Sequence, residues 1–372
     1  MELTVKLAVL ILFLICLAVQ LYFILFIHIR LRKYKIKETV ENFRHPVSVI
    51  ICARNEFVNL QKNLLLVLEQ DYPDFEVVVV NDCSFDESDL LLKEYAVRYK
   101  NLKVVTLNEH VRFKHGKKFA VTMGIKAAVY EHLLFTDADC RPASTNWLLR
   151  MQQHFNKNVE IVLGYSPYQK LPGFVNRLIR FETFYTALNY LSYALSSDAY
   201  MGVGRNLAYT KALFFKGKGF ASHMHIPSGD DDLFVNQNAA KANTVIEIHP
   251  EAQVWTEPKK TFSSYFNQKL RHLGAGKVYK KKHQFSLSLQ VVSATLFYVL
   301  LITLIFLKAS WQILVGAYLL RLIVQLLIYF PILKKLSYKD LFLWFAAFDL
   351  FYYFYIIAVS SVSLFKKKVQ WR

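Results

Sequence analysis

Long apolar segments lie near both ends of the chain, and each is long enough to cross a lipid bilayer. The first runs from Leu7 to Ile29 and is interrupted only by Gln20 and His28. Three more lie in the second half of the chain, at 287–307, 313–333 and 341–364. A membrane-spanning helix needs roughly 20 apolar residues. The sequence therefore predicts an integral, multi-pass membrane protein with a polar domain between its spans.

Basic residues beside the first segment predict the side of the membrane on which the polar domain lies. Five of them follow that segment directly: Arg30, Arg32, Lys33, Lys35 and Lys37. Positively charged residues tend to stay on the cytoplasmic side of a span, so the domain that follows is expected in the cytoplasm. A cleaved signal peptide is the alternative, but its apolar region would be shorter and would end in a small-residue cleavage site. A retained anchor is therefore the better interpretation.

These patterns predict three parts: a transmembrane anchor at 1–30, a cytoplasmic domain at 31–283, and a membrane domain of two or three spanning helices at 284–372. Three spans after a cytoplasmic domain would put the basic residues at 366–368 outside, against the positive-inside rule. The sequence does not decide on which side of the membrane the C-terminus lies.

Arg321 lies in the middle of the apolar segment 313–333, where a charge is costly, and is expected to face protein or a lipid phosphate.

The distribution of charge indicates which partners the protein binds, and the cysteine spacing indicates the state of its thiols. The formal net charge is +18, which could indicate nucleic-acid binding. The basic residues gather beside the membrane segments, however, and attraction to anionic headgroups explains that placement better. We expect membrane lipids and no nucleic acid as partners, and the sequence predicts no oligomeric state. The four cysteines show neither disulfide nor metal-ligand spacing, so reduced thiols are expected.

Strand and helix patterns alternate along the chain from Pro46 onward. Buried strands are predicted at 47–52, 75–81, 104–107 and 132–136, with a helix between successive strands. Strands that alternate with helices form a parallel, doubly wound sheet. The predicted fold class is therefore α/β, a Rossmann-like and mostly parallel sheet, with transmembrane helices on both sides of it in the sequence.

The fourth predicted strand stops at two carboxylates, Asp137 and Asp139, separated by one small residue. Ligands bind outside the carboxyl ends of the strands in such sheets. Two hard oxygen donors at that edge suit Mg²⁺ or Mn²⁺, which bridge to substrate phosphates. Upstream, Gly116 and Lys117 open a helix whose N-terminus favours anions. A solvated turn with incidental acids is the alternative.

Three successive acids, Asp230, Asp231 and Asp232, occur at the predicted start of another helix. Acidic residues in the first turn of a helix stabilise it without any catalytic role. Adjacent like charges also raise the pKa of one member, which suits a general base. The acids therefore have both a structural and a catalytic interpretation.

Taken in this order, these segments resemble the inverting GT-A-fold glycosyltransferases of the large family 2 that includes cellulose, chitin and hyaluronan synthases. The segments that carry the resemblance are Val47–Glu56, Val80–Ser84, Gly116–Gly124, Thr136–Asp139, Gly202–Asn206, Ser228–Leu233 and Gln268–His272. The last differs from the family pattern, because His272 stands where the family has Trp. The resemblance spans roughly Pro46 to Lys282.

The resemblance implies roles for particular residues. The catalytic residues would be Asp231 as the base, Asp230 in the position before it, and Arg271, which would approach the donor diphosphate and assist its departure. The donor-binding residues would be Arg54, Glu56, Asp82, Lys117 and Asp137. Asp137 and Asp139 would hold Mg²⁺ or Mn²⁺. The acceptor side would comprise Gly204, Arg205, Gln268 and His272.

We therefore expect a metal-dependent hexosyl- or N-acetylhexosaminyl-transferase that moves a sugar from a nucleotide-diphosphate sugar, UDP-linked by resemblance, to a lipid or lipid-linked glycan. A processive cell-surface polysaccharide synthase is the alternative within the family, and it would make polymer from donor alone. Two alternatives from other classes are a nucleotidyltransferase, which would release pyrophosphate, and an inactive membrane scaffold.

Overall fold

The computed structural model describes residues 2–38, 44–108, 116–226 and 228–365, without the side chains of residues 2, 271–273 and 363–365. Its first element is a long helix built of three parts. These are α1 (Glu2–Tyr22), a π-helical turn (Phe23–His28) and α2 (Ile29–Lys33). The stretch Leu3–Lys33 is long and apolar enough to cross a membrane.

The first half of the polar domain alternates strand and helix as predicted, and the bounds differ from the prediction by only a few residues. The elements are β1 (Val47–Ala53), α3 (Phe57–Leu68), β2 (Phe75–Asp82), α4 (Ser88–Arg98), β3 (Leu102–Leu107), α5 (Lys117–Ala127) and β4 (His132–Asp137). The four strands run parallel in the order β3-β2-β1-β4. The run Val77–Val80 is fully buried, as expected for a parallel strand covered by helices on both faces.

The second half extends this sheet and covers it. Its elements are β5 (Cys140–Pro142), α6 (Trp147–Gln152), β6 (Ile161–Gly164), α7 (Phe174–Leu195), β7 (Leu207–Thr210), α8 (Lys211–Lys216), α9 (Asp232–Asn238), β8 (Thr244–Glu247) and β9 (Val254–Thr256). Strand β7 runs antiparallel to both β4 and β6, while β6 and β8 are parallel. The result is a seven-stranded, mostly parallel sheet, which confirms the predicted class, with β5 and β9 as a separate pair.

Four helices complete the described chain. They are α10 (Phe262–Gly276), α11 (Lys281–Phe306), α12 (Trp311–Lys335) and α13 (Phe345–Phe365), the last preceded by a 3₁₀ turn (Lys339–Trp344). Three candidate spans lie here, at Lys281–Phe306, Trp311–Lys335 and Lys339–Val362. With the first helix this makes four in the described residues. The basic residues at 366–368 lie outside the described residues, so the conflict over the C-terminal side stays open.

Arg321 faces protein, which is one of the two surroundings that the sequence allowed. It lies on α12 and is 1% exposed, as is its partner Asp349 on α13. The Nη1 atom of Arg321 lies 2.6 Å from Oδ2 of Asp349, and it also donates to Oε1 of Gln325 at 3.1 Å. The hydroxyl of Tyr298 on α11 donates to Asp349 at 2.5 Å. A polar network thus ties three candidate spans together, as expected where an unpaired buried charge would be costly.

The candidate membrane-spanning helices pack directly on the polar domain. Arg180 on α7 donates two hydrogen bonds to Asp340 in the 3₁₀ turn, at 2.9 and 2.5 Å. The Tyr165 hydroxyl, which follows β6, donates to the carbonyl of Leu336 at 3.0 Å. One hydrophobic core runs from the sheet through α7 into the spans. The surface between domain and spans is therefore fixed, and the cavity described below lies there.

Candidate active site

A cavity of about 680 Å³ opens at the carboxyl ends of β1 and β4 and continues to the membrane helices. One end is lined by Arg54 and Glu56 after β1 and by Asp137 and Asp139 at the end of β4. We call this the donor end. The other end is lined by residues of α7, α10, α11 and α13: Glu182, Thr186, Lys269, Leu287, Gln290, Val291, Tyr352, Tyr355, Ile356 and Val359. We call this the membrane end.

Lys117, the first residue of α5, joins two acidic segments that are far apart in the sequence. Its Nζ lies 3.0 Å from Oδ1 of Asp137 and 3.1 Å from Oδ2 of Asp230. Burial acts to lower the pKa of Lys117, but these carboxylates outweigh it and hold the pKa well above its usual value. The ammonium therefore stays charged at neutral pH.

Gly124 explains how α5 comes close enough to the sheet for Lys117 to reach the site. A Cβ at this position would lie 2.7 Å from Cγ2 of Ile50 on β1 and 3.1 Å from Cγ2 of Val80 on β2. Contacts that short would push the helix outward. Glycine at 124 thus permits the close packing that carries Lys117 to the strand ends.

Asp137, Asp139 and Cys140 offer possible ligand atoms that all lie within 4.8 Å of one another. Burial and the neighbouring Asp137 raise the pKa of the Asp139 carboxyl. The Cys140 thiol donates to Oδ1 of Asp139 at 3.2 Å, and burial holds its pKa well above the usual value. A neutral thiol is a poor ligand for a hard cation. The two carboxylates fit Mg²⁺ or Mn²⁺, which take oxygen ligands and accept water and phosphate at their other positions.

Two cations complete the donor end, and one of them was not predicted. Arg205, which was predicted for the acceptor side, lines the cavity. Burial acts to lower its pKa, but Tyr168, Cys140 and the nearby charges of Asp139 and Asp137 together raise it. Its guanidinium lies 4.5 Å above the Tyr168 ring, and Nη1 is buried without a hydrogen-bond partner among the described residues. Lys259, after β9, lines the same end. Nothing in its local sequence distinguishes it from the many other lysines.

The three acids lie at the start of α9, and each carboxylate has a different set of contacts. Asp230 faces Lys117, as described above. Asp231 accepts hydrogen bonds from the backbone N–H of Gly204 at 2.7 Å and of Asp232 at 2.8 Å. A Cβ on Gly204 would lie 3.2 Å from the Asp231 carboxylate, so glycine allows this close approach. Asp232 accepts from the N–H of Leu233 at 2.7 Å and from the Tyr279 hydroxyl at 2.7 Å.

Burial and repulsion from neighbouring carboxylates raise the pKa of two of these acids, Asp231 and Asp232. Burial raises the pKa of Asp231, and the charge of Asp230 raises it further. Burial and the charge of Asp231 raise the pKa of Asp232 to about 7. A carboxylate poised in this way is a better proton acceptor than one with an ordinary pKa.

The remaining predicted residues fall into three groups. Glu56 lines the donor end, accepts a hydrogen bond from Asn59 at 2.5 Å, and has its pKa raised by burial. Asp82 is 0% exposed at the end of β2 and is not among the residues that line the cavity. Gln268 lines the cavity. The side chains of Arg271 and His272 lie outside the described residues, so their predicted roles remain predictions.

Three residues at the membrane end, Glu182, Lys269 and Tyr355, were not among the predicted site residues. Glu182 on α7 is 3% exposed, and its Oε1 lies 2.5 Å from Nζ of Lys269 on α10. Tyr355 on α13 lines the same end and stacks on Tyr265, with ring centroids 6.2 Å apart. These residues lie in three separate helices without a shared motif. Only the packing of the helices brings them together.

Comparison with known proteins identifies the family. Residues 132–360, more than half of the chain, match the profile of Glycosyl transferase family group 2, and residues 48–214 match that of Glycosyl transferase family 2. The glycosyltransferase AglE of Haloferax volcanii is 36% identical over 106 residues, which cover 28% of this chain and 33% of that protein. A poly-beta-1,6-N-acetyl-D-glucosamine synthase of Staphylococcus epidermidis is 32% identical over 93 residues, 25% of this chain and 21% of that protein. The matches thus span a third or less of these relatives.

A solved structure shares the architecture over nearly the whole chain. It is a mannosyltransferase from Pyrobaculum calidifontis in complex with GDP-Man and Mn²⁺, with a TM-score of 0.59 at 17% identity. The similarity covers 93% of this chain and 98% of that one. It supports the GT-A fold expected from the sequence, with apolar helices at both ends. On the family profile that covers most of its length, this chain belongs to glycosyltransferase family group 2.

Proposed function

We propose that this protein is a membrane-anchored, inverting glycosyltransferase that moves a sugar from a nucleotide-diphosphate sugar to an acceptor held at the membrane surface. The observation that carries the proposal is one cavity lined both by the residues of the donor end and by residues of the apolar helices, with Asp231 in its lining. Family membership supports sugar transfer, and the four apolar helices support attachment to a bilayer. The basic cluster after the first span supports a cytoplasmic site.

At the donor end, the chain offers cations for the diphosphate and carboxylates for a metal. Arg205 and Lys259 line the cavity and would attract the phosphate oxygens. Lys117 would hold Asp137 in place through its 3.0 Å contact. Asp137 and Asp139 would hold Mg²⁺ or Mn²⁺, which when bound would neutralise charge on the departing diphosphate. Arg54 and Glu56 would contact the nucleotide.

Asp231 would take the proton from the acceptor hydroxyl. The oxygen of that hydroxyl attacks the anomeric carbon, the bond from this carbon to the diphosphate breaks, and the nucleoside diphosphate leaves with the bonding electrons. The two backbone N–H groups that bind Asp231 would orient its carboxylate during this step. Its raised pKa supports the role, because a base works best when its pKa lies near the working pH.

The decisive experiment uses the full-length protein in lipid nanodiscs with a panel of UDP- and GDP-sugars, with and without Mn²⁺. We expect thermal stabilisation by one nucleotide sugar, stronger with Mn²⁺, and release of the nucleoside diphosphate in a membrane extract. Release of pyrophosphate instead would indicate nucleotidyl transfer. Absence of stabilisation by every donor would contradict the proposal.

A processive polysaccharide synthase is the second candidate, because one relative is named as a polymer synthase. Such an enzyme would form a long product in membranes supplied with donor alone. A single-addition enzyme would stop after one sugar per acceptor. Size analysis of radiolabelled product distinguishes the two.

A further inference from the structure

The segment at 336–340, which follows α12 and enters the 3₁₀ turn, docks on the polar domain, and we call it the connector. Tyr338 lies in it and is 0% exposed. The Arg180 guanidinium lies 4.7 Å from the centroid of the Tyr338 ring. The Tyr165 ring packs edge-on against the same ring, with centroids 6.3 Å apart. A close-packed side chain has little freedom to move, so the Tyr338 hydroxyl is held in one place.

That hydroxyl bonds to the backbone of Tyr168 in the polar domain. It accepts a hydrogen bond from the Tyr168 N–H at 2.7 Å and donates to the Tyr168 carbonyl at 3.4 Å. Tyr168 also forms a parallel bridge with Thr256 on β9. The Thr256 hydroxyl donates to the carbonyl of Asp139 at 3.4 Å. The backbone at Tyr168 is therefore fixed by the connector and by a strand that reaches the donor end.

The Tyr168 ring in turn orients Arg205. The Arg205 guanidinium lies 4.5 Å from the ring centroid, a distance at which an aromatic face attracts a cation, and both residues line the cavity. The backbone around Arg205 is held on both sides. The Gly204 N–H donates to Asp231 at 2.7 Å, and the Asn206 amide donates to two backbone carbonyls at 2.9 and 2.8 Å. A long side chain on a fixed backbone still has several rotamers, and the ring selects among them.

The orientation of Arg205 matters for binding phosphate. A guanidinium binds phosphate oxygens through directed hydrogen bonds, so its direction as well as its charge determines the strength of binding. The charges of Asp139 and Asp137 act on Arg205, so it lies near the carboxylates that fit a divalent metal. A shift of the Tyr168 ring would therefore turn the guanidinium away from a diphosphate bound at this end of the cavity.

We infer that Tyr338 positions Arg205 for the donor diphosphate by holding the Tyr168 ring beneath it. The connector between two candidate spans thus helps to set the affinity for the donor. This inference rests on the proposed function and adds to it a residue that is not among those lining the cavity. Tyr338 is a positioning residue, because it acts on the phosphate only through Tyr168 and Arg205.

The test is a double-mutant cycle on the full-length protein in phosphatidylcholine nanodiscs, with the affinities for UDP and for GDP measured in Mn²⁺. Tyr338→Phe keeps the ring and removes only the hydroxyl. It should weaken binding of the nucleotide that the native protein binds about three- to tenfold, part of the loss expected when a hydrogen bond to a charged group is removed. Arg205→Gln should weaken binding about tenfold or more. Adding Tyr338→Phe to Arg205→Gln should have no further effect, because the two changes act through one contact.

Ser337→Ala is the matched control within the connector. The Ser337 hydroxyl donates to Oε1 of Gln253 at 3.0 Å, so this variant also loses one hydrogen bond between connector and polar domain. It should keep the native nucleotide affinity even where its melting temperature falls as far as that of Tyr338→Phe. Tyr168→Leu is the second variant, and it decides the question if Tyr338→Phe folds poorly. It keeps the backbone groups that bond to Tyr338, removes the ring, and should weaken nucleotide binding only while Arg205 is present.

An equal loss from Tyr338→Phe in the native and Arg205→Gln backgrounds would overturn the inference, since the hydroxyl would then act independently of the guanidinium. Unchanged affinity in both Tyr338→Phe and Tyr168→Leu would do the same. A similar loss of affinity in Ser337→Ala would reduce the effect to general docking of the connector, against the inference. Native protein that binds UDP or GDP while the variants fail these expectations contradicts only the role of Tyr338. Native protein that binds neither nucleotide contradicts the proposed function as well.

Discussion

The strongest test of the proposed chemistry is the pair of substitutions Asp231→Asn and Asp232→Asn. The two carboxylates are matched structurally, because each accepts one hydrogen bond from the next residue's N–H and one from a second donor. That donor is the Gly204 N–H for Asp231 and the Tyr279 hydroxyl for Asp232. An amide in place of either carboxylate keeps one acceptor oxygen and loses the other.

The expected magnitudes follow from these contacts. Each variant loses one charge-assisted hydrogen bond, worth about 1.5–3 kcal/mol, and each gains by removing a carboxylate from an acidic cluster. The net effects on stability should therefore be modest and similar. Loss of a general base lowers rate about 10²–10⁴-fold. Turnover should fall by that factor in Asp231→Asn and only slightly in Asp232→Asn.

The assay measures nucleoside diphosphate release at saturating donor, with melting temperature and nucleotide affinity measured on the same samples. Nucleotide affinity should change little in either variant, since Asp231 acts on the acceptor. Near-normal turnover by Asp231→Asn would show that another group takes the proton. A larger loss from Asp232→Asn would show that the wrong carboxylate was chosen.

The other predictions concern the metal, the pH dependence, the spans and the sidedness. Asp139→Asn should abolish the part of donor binding that depends on Mn²⁺, and full native activity in a chelator would contradict the metal assignment. The pKa of Asp232 is raised to about 7 in the folded state, so between about pH 4 and about pH 7 the folded protein keeps a proton that the unfolded chain loses. The melting temperature should therefore fall as the pH rises through this range. The fall should be smaller in Asp232→Asn. Arg321→Met should cost about 3–5 kcal/mol of stability, because it leaves the buried Asp349 carboxylate without its cationic partner, and adding Asp349→Leu should recover much of this loss. If the double variant instead loses as much stability in thermal unfolding as the two single variants together, the pairing is refuted. A single cysteine at 94, with native thiols replaced, should resist an impermeant thiol reagent in intact cells, and labelling as fast as an extracellular control would reverse the predicted orientation.

The sequence by itself determined the fold class and the residues at the strand ends. Alternating apolar and helical patterns located β1 to β4 to within a few residues, because buried parallel strands require continuous apolar runs. The carboxylates at 137 and 139 followed from their position at the end of such a run. The apolar segments predicted all four candidate spans, since crossing a bilayer demands length and hydrophobicity that are visible without a structure.

Only the tertiary structure decided which side chains meet. Lys117 reaches both Asp137 and Asp230 because Gly124 lets α5 pack against the sheet. Arg205, predicted for the acceptor side, also lies near enough to Asp139 and Asp137 to interact with their charges. Such contacts depend on the rotation and spacing of elements, which local sequence patterns do not encode.

The membrane end shows this most clearly. Glu182, Lys269 and Tyr355 come from three helices, and each alone looks like an ordinary residue of an amphipathic or apolar segment. Their convergence arises from the packing of α7, α10 and α13 around one cavity. Long-range contacts of this kind determine which side chains line this part of the cavity, and they exist only once the whole chain is folded.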